Sequence, residues 1–191
     1  MSLKLSEKAS YTLPPAGLHP AVCVWVIDLG LQVGAFGTKP QLLLSWELPD
    51  CPDDQGKPHI ISRRFTATLS KNGALRPVLA SWRGRDFTAE EVAGFDMSKL
   101  VGVPCQVLIQ HTTKDDGRVS ATVQTVIKAA PGQPTLTANP ALFYDQDRPD
   151  AAVKTQLPEW IQKLLDEAIE PPKPPVKPAE TAVPFDDDLA F

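Results

Sequence analysis

The sequence predicts a mainly β domain, a five-stranded barrel with a helical insert between its third and fourth strands. Three observations predict it. Five runs are rich in β-branched and aromatic residues or alternate apolar with polar residues, clusters of Gly, Pro, Asp and Asn separate them, and in one stretch the apolar spacing changes from two to three and four. The chain has 191 residues, enough for one substantial core at roughly 100–200 residues per domain.

The first run, residues 18–29, is apolar on both faces, so it is expected to be central and buried. Residues 30–40 are glycine-rich and predict the first interstrand loop, carrying Phe36 and Lys39. The second run, residues 41–48, sets Leu42, Leu44, Trp46 and Leu48 on one face against Gln41, Leu43, Ser45 and Glu47 on the other, the period of a half-buried strand. Residues 49–58 are turn chemistry. The third run, residues 60–69, points Ile61, Arg63, Phe65 and Leu69 one way and Ser62, Arg64, Thr66 and Thr68 the other. Arg63 thus shares parity with core residues, which predicts either a strand end or a bulge.

From residue 72 to 82 the apolar residues Leu75, Val78, Leu79 and Trp82 follow helical spacing, with Pro77 tolerable only in the first turn. Thr88 followed by Glu91 has the form of a capping box. Helical pattern continues over 95–100, and Gly102 closes it. Two further alternating runs, 103–111 and 118–127, flank Lys114-Asp115-Asp116-Gly117, a hairpin turn of the Asp-Gly kind. Three strands, a helical insert and a two-strand hairpin form the order of an OB-fold, a Greek-key barrel that grips oligonucleotides through its second and third strands and the flanking loops.

Beyond residue 130 the composition turns rich in Pro, Asp and Ala. Residues 131–156 are too long for an ordinary loop, which leaves packing along the barrel or mobility. An amphipathic helix is expected over 158–169, opened by Pro158 in its first turn, and either folds back on the barrel or mediates self-association. The expected organisation is an arm (1–17), the barrel (18–130), an extension with the helix (131–170), a stiff proline-rich spacer (171–184) and an acidic tip (185–191).

Charge follows the same division. Residues 1–130 carry 14 basic and 12 acidic residues, and residues 131–191 carry 5 and 11, a near-neutral body with an acidic tail of the kind used for interaction. Without an apolar run of spanning length or a leader-like start, the expected setting is the cytoplasm, with no membrane partner. Cys23, Cys51 and Cys105 are odd in number and far apart, which predicts reduced thiols rather than disulfides or a zinc module. A site built from Cys51, His59 and His111 has no supporting spacing, and neither a metal nor a cofactor is expected.

The tip is the most specific signal. Asp186, Asp187 and Asp188 stand between Phe185 and Leu189-Ala190-Phe191, so negative charge lies beside two rings that suit apolar pockets rimmed by Lys and Arg. A solubilising tail is the plainer explanation of the acids but not of the phenylalanines. With its spacer and barrel, this ending resembles bacterial and bacteriophage single-stranded DNA-binding proteins. The segments around Phe36-Gly37-Thr38-Lys39, Trp46-Glu47 and Trp82-Arg83-Gly84-Arg85 look like phage replication-module proteins. The spacer here is Pro/Lys-rich where the family's is Gly/Gln-rich, and the helical insert is larger. The resemblance implies single-strand binding and protection in replication, recombination and repair. It also implies that Phe185, Asp186, Asp187, Asp188, Leu189 and Phe191 recruit a polymerase, a helicase or primase, or a recombinase. In a phage the setting would be the bacterial host's cytoplasm.

Sequence-tolerant single-strand binding needs basic residues for phosphates and exposed rings for bases. Strand parity and loop position select Phe36, Lys39 and Arg64 first, then Arg63. Trp82, Arg83 and Arg85 form either a stacking and phosphate clamp or the last core contact of a helix with basic residues at its C-terminus. Lys71, Arg76 and Arg118 are supporting candidates. Trp46 is expected in the core, and the place of Trp25 stays open. The paired acids Asp53-Asp54 and Asp115-Asp116 sit beside Gly in turns, and no catalytic constellation is visible, so an enzyme is not expected. The rival readings are a protein-interaction module and a strand-annealing recombination mediator, with self-association of the chain left open.

Overall fold

The computed structural model describes residues 12–35, 37–133 and 135–169. It is mainly β. The strands β1 (Gly17–Gly34), β2 (Gly37–Pro52), β3 (Pro58–Thr66), β4 (Pro104–Thr113) and β5 (Val119–Lys128) form an open antiparallel sheet in the order β3-β2-β1-β4-β5. A short strand, β6 (Leu142–Tyr144), pairs parallel with β1. Between β3 and β4 lie helix α1 (Leu75–Arg83), helix α2 (Ala89–Gly94) and a 3-10 turn at Met97–Leu100. Helices α3 (Ala151–Gln156) and α4 (Glu159–Asp166) follow β6.

The two apolar faces of β1 serve two cores. A register shift between Cys23 and Trp25 turns the strand, so that Cys23 and Val26 face one side while Val24, Ile27 and Leu29 face the other. The first core is closed by Leu42, Leu44, Trp46 and Leu48 of β2, the face that alternation predicts, together with Leu75, Val78, Leu79 and Trp82 of α1 and the inner residues of β4 and β5. In the second, Leu142 and Tyr144 of β6 and Leu157, Ile161 and Leu165 pack on β1 and on Leu43. The helix predicted over 158–169 therefore folds back onto the sheet, with Pro158 as its N-cap residue rather than inside its first turn.

This second core corrects the half-buried reading of β2. Ser45 and Glu47, on the face expected to meet water, are fully covered. Glu47 is satisfied by three donors from the extension: the Ala138 amide at 2.8 Å, the Asn139 amide at 2.8 Å and the Asn139 side-chain amide at 2.7 Å. A buried carboxylate is tolerable only with such partners.

The edge of β1 opposite β2 is covered in stages. β4 pairs with it from Gly17 to Val22, β6 from Trp25 to Ile27, and Ile169 bridges Leu31. The amide of Ile169 donates to the Leu31 carbonyl at 2.9 Å. Unpaired backbone along a strand edge invites pairing with other chains, and this succession leaves little of it bare.

Residues 30–40 are not the loop that their glycines predict. β1 and β2 stay paired out to Gly34 opposite Gly37. Gly30 sits at a register shift with φ +66°, and a Cβ there would come within 3.1 Å of the Gln146 side chain and 3.3 Å of Ala168. Glycine serves here as a bulge residue under close approach rather than as loop punctuation. In the insert, Pro77 is the third residue of α1, where its missing N–H costs no hydrogen bond. Gly84 at φ 76° ends α1, and Thr88 and Glu91 form the predicted capping box.

Candidate nucleic-acid interface

The two edge strands, β3 and β5, approach each other without a ladder between them among the described residues. Arg63 spans the gap. Its Nη1 donates to the carbonyls of Val123 and Gln124, each at 2.9 Å, and its guanidinium lies 4.8 Å from the centre of the Phe65 ring. No register shift occurs between His59 and Thr66, so Arg63 is neither at a strand end nor on a bulge. A core-parity arginine is accommodated because β5 supplies the acceptors.

Outside that bridge, Ser62, Arg63 and Arg64 face Thr112, Thr122 and Gln124 across a groove of about 430 Å³. Arg64 is exposed, and its side chain has no hydrogen bond or ion pair among the described residues. Ser62 and Ala121 also line a neighbouring cleft of about 540 Å³, whose other walls include Lys57, His59, Ile60, Asn139, Pro158 and Trp160. Asp53, at the same cleft, is held below the usual carboxylate range, chiefly by the Lys57 amide. The two depressions sharing Ser62 and Ala121 run alongside β3, from Pro58 to Arg64, about 20 Å of extended chain.

The other predicted contacts fall elsewhere. Trp82 is in the core, 4% exposed, with its ring 6.2 Å from that of Trp46 and its Nε1 donating to the Pro104 carbonyl at 3.1 Å. It presents no face on which a base could stack, and the packing reading replaces the clamp. Arg83 and Arg85 converge on Glu91, each with a nitrogen 2.6 Å from Oε1. Arg85, then Arg83, hold the Glu91 carboxyl far below its ordinary range. Arg83 also lies 4.4 Å from the centre of the Phe87 ring, which makes it an internal brace; Arg85 keeps more than half of its side chain in solvent.

Arg76 makes a two-pronged ion pair with Asp86, both contacts at 2.9 Å, so its charge is spent within the insert. Lys71 is exposed and lines a shallow depression with Arg76 and Asp86. Lys39 is exposed near the end of the β1–β2 ribbon, opposite Gln32, and lines neither part of the seam. Arg118 pairs with Asp116. Phe36 and the tip residues Phe185, Asp186, Asp187, Asp188, Leu189 and Phe191 lie outside the described residues. Of the basic candidates, the seam thus brings together Arg63 and Arg64, of which Arg64 is the exposed one and has no hydrogen bond or ion pair among the described residues.

Sequence reasoning missed Lys57 and Trp160. Lys57 sits in a turn that predicts backbone chemistry only. Trp160 counts among the apolar residues of α4, yet it is 48% exposed while its neighbour Ile161 is fully buried.

The conceivable metal set does not assemble. Cys51 pairs instead with His19, Sγ to Nδ1 at 3.3 Å, and His111 Nε2 lies 2.8 Å from the Pro14 carbonyl. Among the described residues no three His, Cys, Asp or Glu are grouped to hold an ion. Burial raises the thiol pKa of Cys23, Cys51 and Cys105. No family model matches the chain, and no curated protein matches it.

Proposed function

We propose that the protein binds single-stranded DNA without sequence preference, using an OB-like barrel whose ligand groove follows the β3–β5 seam, and that its acidic tip recruits replication or recombination partners. The observation that carries the binding reading is the Arg64 guanidinium, exposed and without a hydrogen bond or ion pair among the described residues, set in a groove that Ser62, Thr112, Thr122 and Gln124 also line. A guanidinium is among the donors that hold phosphate oxygens. The strand order β3-β2-β1-β4-β5, with the edges linked through Arg63, supports the barrel.

This version of the site differs from the face expected of such barrels. Leu43, Ser45 and Glu47 of β2 are covered by the extension, which leaves the outer side of β3 to do the work. With few free cations along the seam, binding should be moderate in affinity and shallow in salt dependence, at roughly 0.7 per phosphate neutralised on single strands.

The test is fluorescence anisotropy of a labelled single-stranded oligonucleotide at two salt concentrations, with duplex as competitor. Salt-sensitive binding that duplex does not displace is the expected result. No binding at low salt overturns the reading and leaves a protein-interaction module.

A further inference from the structure

We propose that Trp160 is a base-stacking platform, so that the C-terminal extension forms one wall of the nucleic-acid site. The inference rests on the single-strand reading and adds the ring that the reading lacks: a groove with cations and hydroxyls still needs aromatic faces to hold bases without regard to sequence.

Trp160 lines the cleft that shares Ser62 and Ala121 with the Arg64 groove, together with Lys57, Ile60 and the buried Trp25. A cleft of about 540 Å³ is in the range that takes small planar ligands. The helix holds this ring without burying it. Leu157, Ile161 and Leu165 anchor α4 in the second core, and the Ile161 and Gln162 amides donate to the Pro158 carbonyl at 2.9 and 3.1 Å. The neighbouring wall is equally fixed, since Glu47 holds Asn139. A ring in a preorganised position binds at a lower entropic cost than one on a loose segment. Lys57 in the cleft and Arg64 in the adjoining groove, set against the one carboxylate of Asp53, favour an anionic chain over an apolar peptide as the occupant.

The chain supplies its own probe. Of its four tryptophans, Trp25, Trp46 and Trp82 are buried, and Trp160 alone is exposed. Titrating the full chain with oligo(dT) while recording intrinsic emission should therefore quench mainly Trp160. In Trp160→Ala the quenching should vanish and anisotropy should show roughly 5- to 150-fold weaker binding, the loss of one stacked base. Trp160→Phe should recover much of the affinity, and thermal unfolding of both variants should match the parent, because the helix anchors are untouched.

Oligo(dT) bound by the parent without quenching, or bound equally by Trp160→Ala, overturns the platform and leaves the single-strand reading intact. Quenching that persists in Trp160→Ala assigns it to Trp25 and also overturns the platform. Absence of any binding by the parent in anisotropy overturns the underlying reading, and the platform with it.

Discussion

Arg63, in the middle of β3, donates to the carbonyl oxygen of Val123 on β5 at 2.9 Å and so links the two edges of the sheet through a side chain rather than a strand ladder. A charged donor serving two backbone acceptors contributes to stability on the order of 2 kcal/mol. Arg63→Ala should lower the unfolding free energy by about that amount in urea titration. An unchanged midpoint would show that the edges hold together without it.

Arg64, the next residue, predicts the opposite pattern. Its side chain is exposed and makes no hydrogen bond or ion pair among the described residues, so Arg64→Ala should shift stability by no more than about 0.5 kcal/mol. Single-strand binding should weaken, with the salt slope reduced by roughly 0.7. Equal slopes for variant and parent would place the phosphate contact elsewhere.

Glu47 fastens the extension to β2 through Ala138 and Asn139. Glu47→Ala leaves these donors without their acceptor inside the fold, and a loss of about 3 kcal/mol is expected. Hydrogen exchange localises the effect: the amides of Ala138 and Asn139 should lose protection well before those of β4.

Glu91 between Arg83 and Arg85 predicts an acid-dependent contribution. Its folded pKa is depressed, so the stabilisation is complete above about pH 4.3, the ordinary value, and falls away as pH drops toward the folded value. The stability gap between parent and Glu91→Gln should thus be widest at neutral pH and narrow steadily below that point. A gap independent of pH would remove the ion-pair explanation.

The tip is expected to compete with DNA for the groove, since Asp186, Asp187 and Asp188 present a short run of negative charge. Deleting residues 186–191 should tighten single-strand binding, most at low salt. Unchanged affinity at low salt would limit the tip to partner recruitment.

Much of the sheet was legible in local pattern. The alternation of Leu42, Leu44, Trp46 and Leu48 marked the core face of β2, the spacing from Leu75 to Trp82 marked the buried face of α1, and Thr88 with Glu91 marked the start of α2. What escaped depends on distant partners. β6 is three residues long and exists because β1 has an edge to offer at Trp25–Ile27. Arg63 reads as a parity error until Val123 and Gln124 are in view. The site was less legible, because a basic residue in sequence carries no mark of its counter-ion. Arg76 finds Asp86, Arg83 and Arg85 share Glu91, and Arg64 finds none among the described residues.

The parallel pairing of Trp25 with Leu142 also sets an order of events during synthesis. Chains emerge from the ribosome N-terminus first, at roughly 5–20 residues per second. β1 is therefore in the open many seconds before the residues that cover its second face have been made. Val24, Ile27 and Leu29 must wait for Leu142 and then for Ile161 and Leu165. A chain cut off at residue 130 would contain every residue of the first core yet leave an apolar stripe uncovered, a species for chaperones to shelter.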